Sequence, residues 1–236
     1  MSSSYAAFAE HYDCWAPSES DDVDFYVERA RASGGPVVEL GVGTGRVAVP
    51  TARAGVALIG IDAAEEMLAV CRRRAEEAGV AGLVDLRNGD FRKPPVTERV
   101  PLVTCPFRSF MHLESDADRR AALSAVFDLL LPGGRFVFDV FTPSAANDDD
   151  GRGEWNERGH GIHERIEFDW TSRVVVISLR TSADTTTIRL AWVERDEWRT
   201  LLEATGFTIV ACYGWFDLSP CSPSSAHAVW VAERGS

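Results

Sequence analysis

The sequence predicts an α/β fold: a doubly wound, mostly parallel seven-stranded sheet whose last strand pair is antiparallel, with a small antiparallel β insertion after the fifth strand. Three observations carry that prediction. Short apolar runs alternate with amphipathic stretches over residues 36–141, the glycine-rich turn GVGTG follows the first such run at 41–45, and beyond residue 161 β-branched residues interleave with polar ones. The 236 residues suit one domain, read as a helical N-terminal segment (1–35), a core (36–141), accessory antiparallel strands (142–195) and a closing helix and strand pair (196–236).

Each element has its own signal. Residues 21–33 space Val23, Phe25, Tyr26, Val27 and Ala30 as a helix does, with acids in the first turn and Gly34-Gly35 as the stop. Pro36 opens the first strand, whose continuous Val/Leu character is that of a buried parallel strand, and the glycines at its end let a ligand approach the backbone. A helix at 46–54 leads to a second strand at 57–62, ending in Asp62; the helix at 63–78 puts Met67, Leu68, Cys71 and Ala75 on one face and stops at Gly79. Strands follow at 83–87 and 99–105. Ser115 and Asp118 form a capping box for a helix bearing Leu123, Val126 and Leu130, which Pro132-Gly133-Gly134 ends before the fifth strand at 135–141. Residues 142–161 are rich in Asp, Gly and Asn and read as a surface loop. Two or three antiparallel strands are expected over 162–170, 173–180 and 186–193, forming either a layer over the sheet's carboxyl edge or a dimer contact. A last helix at 196–205, stopped by Gly206, precedes strands at 207–213 and 226–232 that close the sheet as a hairpin.

Composition removes several function classes. A net charge of −12 argues against nucleic-acid binding, which draws its affinity from clustered Lys and Arg, and suits a small or cationic substrate. The five cysteines form no C-x-x-C pair, the N-terminal residues lack a basic and an apolar segment, and no run of eighteen apolar residues occurs. A soluble cytoplasmic protein without a membrane partner is expected. His160 and His163 lack a third ligand of metal-site spacing, so no metal is expected there.

A dinucleotide fingerprint would need glycine where Arg46 stands, and no Tyr-x-x-x-Lys pair occurs in a chain whose one lysine is Lys93; both weigh against a nicotinamide-dependent oxidoreductase. The turn G-x-G-x-G preceded by Glu39 instead resembles the first motif of class I S-adenosylmethionine-dependent methyltransferases. Together with GIDAAEEML at 60–68, NGDFRKPP at 88–95, VTCPFRSFMHL at 103–113 and LLLPGGRFVFDVF at 129–141, it makes nearly the whole chain similar to the bacterial small-molecule type of that Rossmann-like class (methyltransferase domain 25-like). The resemblance implies S-adenosyl-L-methionine as cofactor and S-adenosyl-L-homocysteine as product. It implies that Gly41, Gly43 and Gly45 pass under the methionine moiety, that Glu39 orients its amino group and that Asp62 accepts the ribose hydroxyls. Met67 would pack on adenine, Asp90 would accept from its exocyclic amine, the Phe91 backbone would meet a ring nitrogen, and Cys105 and Ser109 would lie beside the sulfonium. Read without the resemblance, Glu39 and Asp62 can cap helices, Gly89-Asp90 can form an ordinary turn, and Met67 is buried on its helix in any case.

Methyl transfer from a sulfonium is an in-line displacement that needs a positioned acceptor and excluded water more than a triad. His112, just past the tip of the fourth strand, is the candidate base or positioning group; His112-Leu113 matches a pair in similar enzymes that methylate amino sugars, and a core or capping histidine is the other reading. Tyr12-Asp13 resembles the Tyr-Asp near the N-terminus of many small-molecule methyltransferases, whose N-terminal segment folds over the cofactor as a lid; Tyr12 and Trp15 would close the site, or else belong to a helix packed on the domain. Trp215-Phe216-Asp217 would line an acceptor pocket or a dimer surface. Arg108 would bind the cofactor carboxylate or an acidic substrate group or form a salt bridge, and Arg46 competes for the carboxylate. The expected function is N- or O-methylation of a small molecule in specialised metabolism, with nitrogen slightly favoured; a homodimer is compatible, and the alternatives are the oxidoreductase and a non-catalytic cofactor-binding protein.

Overall fold

A computed structural model describes residues 5, 8–16, 20–143, 153–182 and 184–235. Strands Val37–Leu40 (β1), Leu58–Asp62 (β2), Val84–Asn88 (β3), Val100–Cys105 (β4) and Leu130–Phe141 (β5) run parallel. Next come Asn156–Gly159 (β6), Ile162–Asp169 (β7), Val174–Arg180 (β8) and Thr185–Ala191 (β9), a separate antiparallel sheet, and then Phe207–Tyr213 (β10) and His227–Arg234 (β11). The main sheet has the order β10-β11-β5-β4-β1-β2-β3, with β11 antiparallel to both neighbours. All four residues of β1 are buried, as a central strand covered on both faces requires. Because the strand order reverses between β1 and β4, a crevice opens at their carboxyl ends, where open α/β sheets bind ligands.

Helices Tyr12–Trp15 (α1), Ser20–Ser33 (α2), Ala48–Arg53 (α3), Glu65–Glu77 (α4), Asp116–Leu129 (α5) and Arg195–Thr205 (α6) flank the sheet. One core cluster joins the sheet to α2, α3 and α4 through Phe25, Tyr26, Ala48, Leu68 and Cys71. The other joins it to α5 and α6 through Leu123, Val126, Trp198 and Leu202, and continues into Ile162, Val175, Ile177, Ile188 and Leu190 of the second sheet. The accessory strands therefore share the main core and lie over the carboxyl end of the sheet. The Asp118 amide donates to Ser115 Oγ at 3.1 Å, the expected cap of α5. No helix among the described residues is long and apolar enough to cross a membrane.

Two sequence expectations need correction. Helix α5 ends at Leu129, before Pro132-Gly133-Gly134, and Leu130 already pairs with Val100 in β5. Proline disfavours the helical region for the residue before it, so Leu131 is extended and the helix stops earlier. The stretch read as a loop over 142–161 contains β6, whose side chains are nearly all exposed. Its order comes from backbone pairing with β7, which leaves no apolar alternation to read. Residues 144–152 of that stretch lie outside the described residues.

Candidate functional site

The glycine turn after β1 closes over the tip of β2, with the Gly41 and Val42 amides donating to the Ile61 carbonyl at 2.8 and 3.0 Å. Gly41 sits at φ +68°, and a Cβ there would come within 2.7 Å of the Ser109 side chain, so its bareness admits the turn that follows β4. Asp62 is pinned by two amides: Gly43 N–H donates to Oδ2 at 3.0 Å and Ala64 N–H to Oδ1 at 2.9 Å. Burial still holds its carboxyl above the ordinary value. This carboxylate, anchored just before α4, faces the cavity.

That cavity, about 360 Å³, lies at the carboxyl ends of the parallel strands. Gly41, Gly43, Asp62, Met67, Asp90 and Phe91 form one wall. Ile166, Ile177, Ile188 and Leu190 of the accessory sheet contribute another, beside His112 and Glu164, and Tyr5, Tyr12 and Trp15 of the N-terminal segment line it as well. The volume falls within the range of sites for small ligands. Next to it, a narrow crevice of about 30 Å³ is lined by Glu39, Gly41, Gly43, Tyr12 and Arg46. Glu39 is 3% exposed and makes no hydrogen bond to a described side chain or amide, and burial pushes its carboxyl up to about 8. A buried carboxyl beside a glycine turn is an environment that suits a cationic amino group.

Several expected residues are placed away from the cavity or engaged by other partners. Gly45 lines neither space: at φ +82° it lets the turn pack on α4, where a Cβ would meet Cys71 Sγ at 2.6 Å. Cys105 is fully buried in the core, and burial keeps its thiol well above the usual range; the chain must turn after β4 before Ser109 reaches the cavity. Arg46 is committed to a bidentate ion pair with Asp22. Asp90 reaches the cavity wall, yet its carboxylate accepts from Arg92 at 2.6 and 2.9 Å, and this arginine lowers its pKa. Phe216 packs on Phe25 and Tyr26, and Trp215 on His227, so neither aromatic lines the cavity. Among the described residues no group of His, Cys, Asp and Glu could hold a metal.

His112 is held at both nitrogens. Nδ1 lies 3.1 Å from the Arg189 carbonyl and must donate, so Nε2 accepts from the Tyr5 hydroxyl at 2.9 Å. Burial lowers its pKa to about 4 and leaves it neutral. Trp15 Nε1 donates to Glu164 Oε2 at 2.6 Å, tying the N-terminal segment to the accessory sheet. Three residues of this site escaped the sequence reading. Tyr5 gave no signal. Glu164 shares a face with Ile162 and Ile166 by strand alternation, which was available to read. Asp139, an acid inside the apolar run RFVFDVF, accepts from Tyr26 Oη at 2.7 Å and from the Phe107 and Arg108 amides at 2.8 and 3.1 Å; a buried carboxylate in such a run demands partners of this kind.

The reversed-order seven-stranded sheet closed by an antiparallel strand, the G-x-G-x-G turn and the strand-two acid Asp62 thus meet at one cavity. Residues 37–134 match the family described as methyltransferase domain. A protein named as a methyltransferase from Geobacillus sp. (strain WCH70) is 22% identical over 234 residues, 94% of this chain and 93% of that one. The CcbJ methyltransferase from Streptomyces caelestis shares the fold with a TM-score of 0.86 at 24% identity, covering 99% and 98% of the two chains. So does CalS10, an amino pentose methyltransferase from Micromonospora echinaspora involved in calicheamicin biosynthesis and solved with S-adenosylmethionine bound, with a TM-score of 0.68 at 23% identity over 97% and 96%. The chain thus has the fold of these methyltransferases, and its match to the family lies in residues 37–134.

Proposed function

We propose that the protein methylates a nitrogen atom of a small molecule, with the acceptor held between the strand-tip wall and the accessory sheet. The observation that carries this reading is the single cavity that joins Gly43, Asp62 and Met67 to His112, Tyr5 and the apolar accessory strands. S-adenosylmethionine supplies an electrophilic methyl group. In this reading Asp62 accepts the ribose hydroxyls, Met67 and Phe91 flank the base, and Glu39 takes the amino group. Tyr12 and Trp15, the latter anchored through Glu164, close the cavity and exclude water as a lid, whereas Ser20–Ser33 of the expected 1–35 lid packs into the core of the sheet. A neutral His112 whose lone pair is already engaged by Tyr5 is a poor base for a hydroxyl, whereas an unprotonated amine needs only alignment. His112 and Tyr5 accordingly position the acceptor. The likeness to an amino pentose methyltransferase supports an amine acceptor from specialised metabolism, and five free cysteines support a cytoplasmic setting.

Calorimetry with S-adenosylmethionine and S-adenosylhomocysteine tests the cofactor half: micromolar binding is expected in the wild type, with a loss of roughly tenfold or more in Asp62→Ala. Binding untouched by that substitution would overturn the site assignment. A screen of amines against phenols then tests the acceptor half, and turnover of phenols alone would overturn the nitrogen reading.

A further inference from the structure

Arginines near this site are mostly paired: Arg46 with Asp22, Arg74 with Asp13, Arg92 with Asp90 and Asp118, and Arg189 with Glu114. Arg158, which also lines the cavity, faces Glu164 at 3.7 Å. Arg108 lines the same cavity beside Ser109 and has no ion pair with a described residue. Its guanidinium instead lies between aromatic rings, 5.1 Å from the Phe141 centroid and 5.5 Å from that of Phe107. Such contacts hold a cation in place and leave its hydrogen-bonding fork free.

The backbone beneath it is built for the purpose. Phe107 and Arg108 are consecutive non-glycine residues at φ +54° and +63°. This conformation is unfavourable for both and persists because Asp139 accepts from both amides while Tyr26 holds the carboxylate. The result carries the Arg108 side chain away from β4 to the cavity. In a chain of net charge −12, an oriented and unpaired cation lining a small-ligand cavity calls for an anion.

We infer that Arg108 forms an anion subsite of this cavity, receiving a carboxylate or phosphate group. The inference rests on the proposed methyltransferase site, and two ligands there could carry such a group: the cofactor, through its amino-acid carboxylate, or an acidic acceptor. The crevice that contains Glu39 is lined by Arg46 and not by Arg108, which favours the acceptor. A guanidinium meets either oxyanion through paired hydrogen bonds, so it fixes orientation as well as charge.

The test compares wild type, Arg108→Met and Arg108→Lys, with thermal unfolding as a check that each folds. The cofactor arm measures binding of S-adenosylhomocysteine against 5′-methylthioadenosine, which lacks the carboxylate. The acceptor arm measures binding of benzoate and of inorganic pyrophosphate, with and without saturating S-adenosylhomocysteine. A loss of about tenfold or more in Arg108→Met for benzoate or pyrophosphate, with a smaller loss in Arg108→Lys, supports the subsite and assigns it to the acceptor. The same loss for S-adenosylhomocysteine but not for methylthioadenosine supports it and assigns it to the cofactor. No anion binding by wild type together with unchanged S-adenosylhomocysteine affinity in Arg108→Met overturns it. Failure of wild type to bind S-adenosylhomocysteine at all would instead sink the methyltransferase site, and the anion measurements made without that ligand would still decide the role of Arg108.

Discussion

Glu39 holds a proton in the ligand-free protein up to about pH 8, because its carboxyl is buried, whereas in the unfolded chain it titrates near the ordinary value of about 4.3. Its folded pKa is raised, so the empty protein loses stability as pH climbs through that interval. A cationic amino group beside it reverses the preference and expels the proton. S-adenosylhomocysteine affinity should therefore rise by up to about tenfold per pH unit from roughly pH 6 and flatten near 8, and Glu39→Gln should abolish the rise. Calorimetry in buffers of different ionisation heat reads the released proton directly. His112 has its pKa lowered to about 4, so its contribution to stability is whole above about 6.5 and is lost as pH falls toward the folded value. Asp139 carries a third prediction: Asp139→Ala strands the Tyr26 hydroxyl and two amides, and urea unfolding should show a loss of about 3 kcal/mol, against about 1 kcal/mol for Tyr26→Phe. At this scale legibility followed sequence distance. Glu39, Gly41, Gly43, Asp62 and Met67 reach their places through glycine spacing and strand ends, local signals both. Tyr5 meets His112 across 107 residues and Trp15 meets Glu164 across 149, and no local pattern announces such pairings.

At the level of elements, the turn after β1 serves two neighbours at once. Gly41 admits Ser109 of the turn after β4, and Gly45 admits α4 through Cys71. Gly45→Ala should cost about 2 kcal/mol, part from positive φ and part from the clash. Adding Cys71→Ala removes only the clash, so urea titration of the double variant should show a penalty smaller than the sum of the single losses. The parallel core was readable because strands covered on both faces are continuously apolar, and helices between them carry one apolar stripe. Strand β6 was not readable, since exposed side chains gave its segment the look of a loop. The end of α5 was misplaced because the influence of Pro132 falls on the residue before it rather than on itself.

The molecule as a whole has its ligand cavity walled by three regions distant in sequence: the N-terminal segment, the strand tips and the accessory sheet. A ligand that fills it bridges all three and should stabilise them together. S-adenosylhomocysteine at about a hundred times its Kd should add about 2.7 kcal/mol and raise the unfolding midpoint by roughly 5–10 °C, read by calorimetric scanning. Trp15→Phe, which takes away the donor to Glu164, should leave that midpoint nearly unchanged yet speed amide exchange in residues 9–16. One arrangement in the main sheet also governs how it is assembled. Strand β11 lies between β5 and β10, both of which precede it along the chain. On the ribosome, β5 and β10 therefore emerge before the strand that joins them, and the outer edge of β5 waits unpaired while the strands from β1 to β4 are free to close around the glycine turn. The half of the sheet bearing the glycine turn and Asp62 can be made early, and the edge of β5 is covered only when residues 227–234 pair with it.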